Sequence, residues 1–211
     1  DPIEYIHLPR RALVHQRQVG AHASSFHEAL VAALREDPDV ILLGEVRDLD
    51  TIRTVIRAAE TGHLVFTTVH AGDCVGALER LVSVFPASEQ AGIRTQLGLV
   101  LRAVVAQRLL PASPLADDAI AVDRARVVAS EVLRTTPAIA HLIASGRSAQ
   151  IYAAMETGSR LGMQTIEHDL ARLVGAGRIT EATAIGHSRS AELLNERTSQ
   201  QARRPLERGA S

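Results

Sequence analysis

Two short apolar runs, "VILLGEV" from Val40 to Val46 and "HLVFTTV" from His63 to Val69, flank a stretch with helical periodicity, and this arrangement constrains the fold more than any other feature. Neither run alternates apolar with polar residues at its start, which predicts short strands buried on both faces. Between them Ile52, Val55, Ile56 and Ala59 form one apolar stripe. Asp48 or Asp50 can cap this helix and Gly62 can stop it. Strand, helix, strand in this order predicts a right-handed crossover and parallel pairing, and so an α/β fold.

The flanks extend the pattern. Ser25 and Glu28 form a capping box before Phe26, Leu30, Ala33 and Leu34, and Asp37, Pro38 and Asp39 end that helix. Downstream, Leu78, Leu81, Val82 and Phe85 predict a helix closed by Pro86. A longer helix is expected from a Ser88 cap through Ile93, Leu97, Val100, Leu101, Val104 and Val105. "LLPASPLADDA", Leu109 to Ala119, reads as a loop, "RARVVASEVLR" as a further strand, and Pro137 to Ser145, Ala149 to Thr157 and Thr165 to Val174 as short helices. The expected domains are an α/β part over 1–110, a mainly helical part over 111–195 and a mobile tail over 196–211.

Composition narrows the function. All 23 basic residues are arginine, so the chain holds no phosphate loop of the G-x-x-x-x-G-K-[ST] type. A formal charge of -1 gives no general basic field for nucleic acid. The single cysteine, Cys74, excludes an internal disulfide framework and a Cys-based zinc site. No apolar run approaches the roughly 20 residues that cross a bilayer. The chain opens "DPIEYIHLPRR", without a methionine and partway into a pattern, and so reads as a piece of a longer protein.

In open parallel sheets ligands bind beyond the carboxyl ends of the strands. Both expected strands end there in polar groups: Gly44, Glu45 and Arg47 on the first, Thr67, Thr68 and His70 on the second. A carboxylate just past an apolar strand is the Walker-B arrangement of nucleotidases, where it helps hold Mg²⁺ and polarises the attacking water. Gly44 leaves room for close approach of a ligand. The alternative for Glu45 is a solvated strand end paired with Arg47. His70 can sense a γ-phosphate by hydrogen bonding, whereas His63 lies about 20 Å away at the other strand end, as a structural or interface residue. Glu4, after a proline, reads on its own as a surface carboxylate near the start of the chain.

Taken together, "DPIEYIH", "VHQRQVG", "FHEALVAALREDPDVILLGEVRDLDTIRTVIRAAETGHLVFTTVHAGD", "VFPASEQ" and "GMQTIEHDLARLVGAGRIT" resemble the secretion-ATPase superfamily, most of all its PilT-type members of type IV pilus retraction. The likeness runs in order from Asp1 to about Thr183. It implies a RecA-like nucleotide-binding core followed by a small helical domain. In this family "DPIE" is the aspartate box, "ALREDPDVILLGEVRD" the Walker-B segment and "TGHLVFTTVH" the histidine box. The resemblance therefore implies Glu45 as the catalytic, Mg²⁺-associated carboxylate and Glu4 as the acidic residue facing the γ-phosphate region. It implies His63, His70, Thr68, Arg47 and Arg35 around the nucleotide. It also implies ATP and Mg²⁺ as ligands, a cytoplasmic homo-hexamer peripheral to the inner membrane, an inner-membrane pilus platform as partner, and no direct contact with nucleic acid. A non-catalytic paralogue or regulatory ring subunit is the alternative.

Two departures from the family pattern bear on this. The Walker-A loop and the arginine fingers are absent from the chain, so ATP hydrolysis is expected of a full-length protein and not of these residues alone. Where retraction ATPases carry "AIRNLIRE", this chain has "AIAHLIAS", Ala138 to Ser145: Ile139, Leu142 and Ile143 keep the apolar pattern, and Ala140 and Ala144 replace the arginines.

Overall fold

The computed structural model describes residues 2–113 and 126–208, with side chains for 2–113 and 126–199. The chain forms two compact units. One is built from the chain up to His70 together with Glu79–Leu101, the other from Ala71–Leu78 together with the chain from Arg102 onward.

The first unit has the expected α/β class. Helix α1 (Phe26–Ala33) starts at Ser25, whose side chain accepts from Glu28 N, while the Glu28 carboxylate reaches Ser24 N at 3.2 Å. Asp37 adopts φ 54°, a left-handed turn that separates this helix from β1 (Val40–Leu42). Helix α2 (Leu49–Glu60) is capped by Asp48, which accepts from Thr51 N, and ends before Gly62 at φ 103°. Strand β2 (Leu64–Phe66) then returns parallel to β1, with Ile41 opposite Val65.

Burial on both faces is not what these strands show. Ile41 and Leu43 are buried, but Val40 is 54% and Leu42 72% exposed, as are Leu64 at 44% and Phe66 at 52%. Successive side chains point to opposite faces, and only one face of this strand pair is covered. The first unit also holds α4 (Ala87–Val100), which packs with α2 and buries Ile93 and Leu97. Between β2 and α4 lies α3 (Cys74–Ser83), whose first half belongs to the second unit.

The expected continuation of α4 through Val104 and Val105 is also corrected. Leu101 is extended (φ -62°, ψ 132°), and from Ala103 the chain runs as β3 (Ala103–Pro111), antiparallel to β4 (Arg126–Arg134) with Val105 opposite Val132 and Leu109 opposite Val128. Long-range pairing overrides a spacing that also fits a helix. The "RARVVASEVLR" strand is therefore present. Of the loop expected over Leu109 to Ala119, the first three residues are strand and residues from 114 on lie outside the described ones.

Helices α5 (Pro137–Ala144), α6 (Ile151–Thr157), α7 (Ile166–Gly175), α8 (Glu181–His187) and α9 (Ala191–Arg208) complete the second unit. Thr136, Thr165 and Thr180 cap α5, α7 and α8, each accepting an amide three residues on. Ile166, Leu170 and Leu173 of α7 meet Leu110, Val127 and Ala129 of the strands and Leu194 of α9 to form the core. On α5, Ile139 and Ile143 are buried and Ala140 and Ala144 partly exposed. No described helix is long and apolar enough to cross a membrane.

Candidate functional site

The parallel pairing of β1 with β2 continues past both strands. Leu43 N donates to Phe66 O at 2.9 Å, Val46 N to Thr68 O at 3.4 Å, and the Thr68 hydroxyl to Gly44 O at 2.5 Å. These bonds fix the backbone on either side of Glu45, and the buried side chains of Leu43 and Val46 anchor it in the core. The carboxylate is consequently held in place although no element of regular structure contains it.

Glu45 is only 8% exposed. Arg47 donates from Nη2 to Glu45 Oε2 at 2.5 Å, and His70 Nε2 stands 3.3 Å from Oε1. Both partners are themselves largely solvent-exposed. The Arg47 hydrogen bond holds the Glu45 carboxyl below the usual carboxylate range, against the opposing effect of desolvation, and the charges of Arg47, His70 and Arg80 act in the same direction as the bond. An ionised carboxylate thus sits under two exposed nitrogen groups. It can orient or deprotonate a water molecule, while those groups can meet an anionic oxygen.

Beside it opens a pocket lined by Val46, Arg47, Ile52, Val69, Arg80 and Leu81. At the end of β2 the Thr67 hydroxyl oxygen is buried and has no hydrogen-bond partner among the described residues. Among those residues no cluster of three or more His, Cys, Asp or Glu could hold a metal ion.

Of the residues singled out in the sequence, the structure brings Glu45, Arg47, His70 and Thr68 together. His63 lies at the opposite end of β2, with Nδ1 3.0 Å from Ala58 O and 3.1 Å from the Thr61 hydroxyl, at the C-terminus of α2. Arg35 is exposed in a 3₁₀ turn (Leu34–Glu36), and Glu4 is exposed on the irregular segment before α1. Sequence reasoning missed Arg80, whose signal was a charge beside the apolar stripe of Leu78, Leu81 and Val82.

It also missed a buried polar cluster in the second unit. Glu131 is 1% exposed, its Oε1 accepts Cys74 N at 2.9 Å, and its Oε2 has no partner among the described residues. Glu167 accepts from the Tyr152 hydroxyl and from Arg189 N, and Asp169 from Ser130 N and Arg172 Nε. The available signal was a carboxylate at an inward position of the strand from 126 to 134.

The chain as a whole has relatives among known proteins. The family model described as "Type II/IV secretion system protein" matches residues 1–174. A Pseudomonas aeruginosa protein named "Type IV pilus retractation ATPase PilT" is 45% identical over 184 residues, 87% of this chain and 51% of its own length. A "Twitching motility protein" of Neisseria gonorrhoeae is 40% identical over 195 residues, 92% of this chain and 50% of its own. The crystal structure of the pilus retraction motor PilT with bound ADP superposes with a TM-score of 0.80 at 40% identity, covering 93% of this chain and 53% of that one. The chain spans about half the length of the curated relatives it matches.

Proposed function

The chain belongs to the Type II/IV secretion system protein family, and on that premise we propose that it is part of a motor ATPase in which Glu45 is the hydrolytic carboxylate. The carrying observation is the Glu45 carboxylate itself, buried, ionised and held between Arg47 and His70 at the carboxyl ends of two parallel strands. Nucleotide phosphates would lie over this edge. Glu45 orients the attacking water and accepts its proton, His70 and Arg47 meet phosphate oxygens, and the Thr68 hydroxyl fixes the backbone at Gly44 that brings Glu45 to the phosphates. Mg²⁺, with Glu45 among its ligands, would neutralise charge on the phosphates when bound.

Glu4 and Arg35 enter this reading through the family motifs, as groups that complete the nucleotide environment in the assembled ring. His63 supports the start of β2, from which the His70 end is positioned. We assign the whole protein to a cytoplasmic homo-hexamer working against an inner-membrane pilus platform. Type IV pilus retraction or a related pilus or secretion movement is its output. The alanines at 140 and 144 of α5 favour a partner surface different from that of retraction ATPases with arginines there.

The test is Glu45→Gln in the full-length protein. Turnover of ATP should fall by at least about 100-fold while nucleotide affinity stays within a few-fold of wild type. Unchanged turnover would remove Glu45 from the mechanism.

A further inference from the structure

Arg80 stands in the last turn of α3, within the first unit. The positions three and four away from it, Gly76, Ala77, Ser83 and Val84, offer no carboxylate. The adjacent Glu79 is taken by Arg94 of α4, whose Nη1 and Nη2 donate to its two oxygens at 2.9 and 2.6 Å. Glu45, whose carboxylate the charge of Arg80 reaches, is held by Arg47 and His70. The exposed Arg80 guanidinium therefore forms no hydrogen bond or ion pair among the described residues.

The pocket beside Glu45 gives that guanidinium a place to act. Every residue lining it belongs to the first unit, and the lining holds two cations, Arg47 and Arg80, and no carboxylate. Most of the remaining wall is apolar, with Val46, Ile52, Val69 and Leu81. Such walls lower the local dielectric and strengthen the pull of a guanidinium on an anion. The volume is about 150 Å³, below the roughly 300 Å³ at which pockets begin to enclose drug-sized ligands. That is too little for a nucleotide and enough for a small tetrahedral anion. Arginine suits this guest, because its planar fork offers paired donors to two oxygens of one phosphate. Arg47 joins the pocket to the carboxylate: its Nη2 donates to Glu45 Oε2, and the rest of its guanidinium, on a side chain 68% exposed, is left for the pocket.

We propose that Arg47 and Arg80 form a product station, a site for inorganic phosphate one guanidinium away from the place of hydrolysis. The inference rests on the reading of Glu45 given above, in which the terminal phosphate of ATP lies over Glu45 and His70. Water adds its oxygen to the terminal phosphorus, the electron pair of the broken bond stays with ADP, and one water proton passes to Glu45. The freed phosphate then moves past Arg47 to where Arg80 supplies a second fork. Arg80 meets phosphate only after the bond to ADP is broken, so it governs the departure of the product and not the binding of the nucleotide.

Calorimetric titration of the full-length, ADP-loaded protein with inorganic phosphate at constant ionic strength tests it. Wild type should bind with a Kd on the order of 1 mM, and Arg80→Gln should weaken this by about 10-fold or more. Arg80→Lys, which keeps the charge and loses the fork, should fall between the two. Circular dichroism checks the folding of each variant, and Arg80→Lys decides if Arg80→Gln misfolds. Equal affinity in wild type and variant overturns the site, as does a wild type that takes up no phosphate at about 10 mM. Titration with ATP separates product from nucleotide: Arg80→Gln added to Glu45→Gln should change ATP affinity by less than about 2-fold. A loss as large as that for inorganic phosphate assigns Arg80 to the terminal phosphate of the nucleotide and overturns the product station. In turnover, inhibition by phosphate should need roughly 10-fold more of it in Arg80→Gln than in wild type, and inhibition at the same concentration overturns the proposal. A wild-type protein without hydrolysis refutes the reading of Glu45, while the phosphate titration still judges the pocket.

Discussion

Arg47 is the residue on which the ionisation of Glu45 depends most. Its guanidinium lowers the carboxyl below the usual range, so Glu45 stays charged as pH falls through the region where a free glutamate takes up a proton. Arg47→Leu removes that donor and its charge. The acid limb of the pH–turnover profile should then move to higher pH, and a limb at the same pH would show that another group sets it. Cys74 illustrates the opposite case. Burial, with Glu131 nearby, pushes its thiol up to about 12, so almost none is thiolate at neutral pH. Maleimide labelling at pH 7.5 should be slower in the native protein than in denaturant by on the order of 100-fold. Fast native labelling would mean that the α3 N-terminus opens.

At the scale of elements, what was legible in the sequence is what closes over a few residues. The Asp48 cap accepts Thr51 N at 2.8 Å and the Thr51 hydroxyl at 2.7 Å, three positions away. Asp48→Ala should therefore cost about 1 kcal/mol, measured by chemical denaturation, and no change would deny the cap any role. The strand–helix–strand unit, the stop at Gly62 and the gathering of Glu45, Arg47, Thr68 and His70 follow from equally local rules, because β1 and β2 are joined by one helix. Features decided by distant partners were not legible. The apolar spacing from Leu97 to Val105 fits a helix and a strand alike, and β4, more than 20 residues on, settles it. The exposure of Leu42 and Phe66 depends on what covers the sheet face, which no pattern within the strands encodes. Glu131 and Cys74 are 57 positions apart, so neither spacing nor composition announces their bond. Glu4 and Arg35 were nominated by family motifs, and no local geometry in this chain brings them to Glu45.

For the molecule as a whole, Glu45 and Glu131 tie stability to pH with opposite signs. The Glu45 carboxyl is lowered in the folded state, so its contribution is present above the ordinary value of 4.5 and is lost as pH falls below it. Glu131 is raised, first by burial and further by Asp73, with the Cys74 amide and Arg189 working against the rise. Its stabilising contribution is complete below 4.5 and is lost as pH climbs through the raised folded value, because the folded state then bears a buried charge with one oxygen unpartnered. Glu131→Gln abolishes this titration and keeps an oxygen for the Cys74 amide. The Tm of the variant minus that of wild type should therefore become more positive between pH 4.5 and pH 7.5. A difference independent of pH would mean that Glu131 titrates alike in the folded and unfolded chain, and that its burial does not penalise the ionised form.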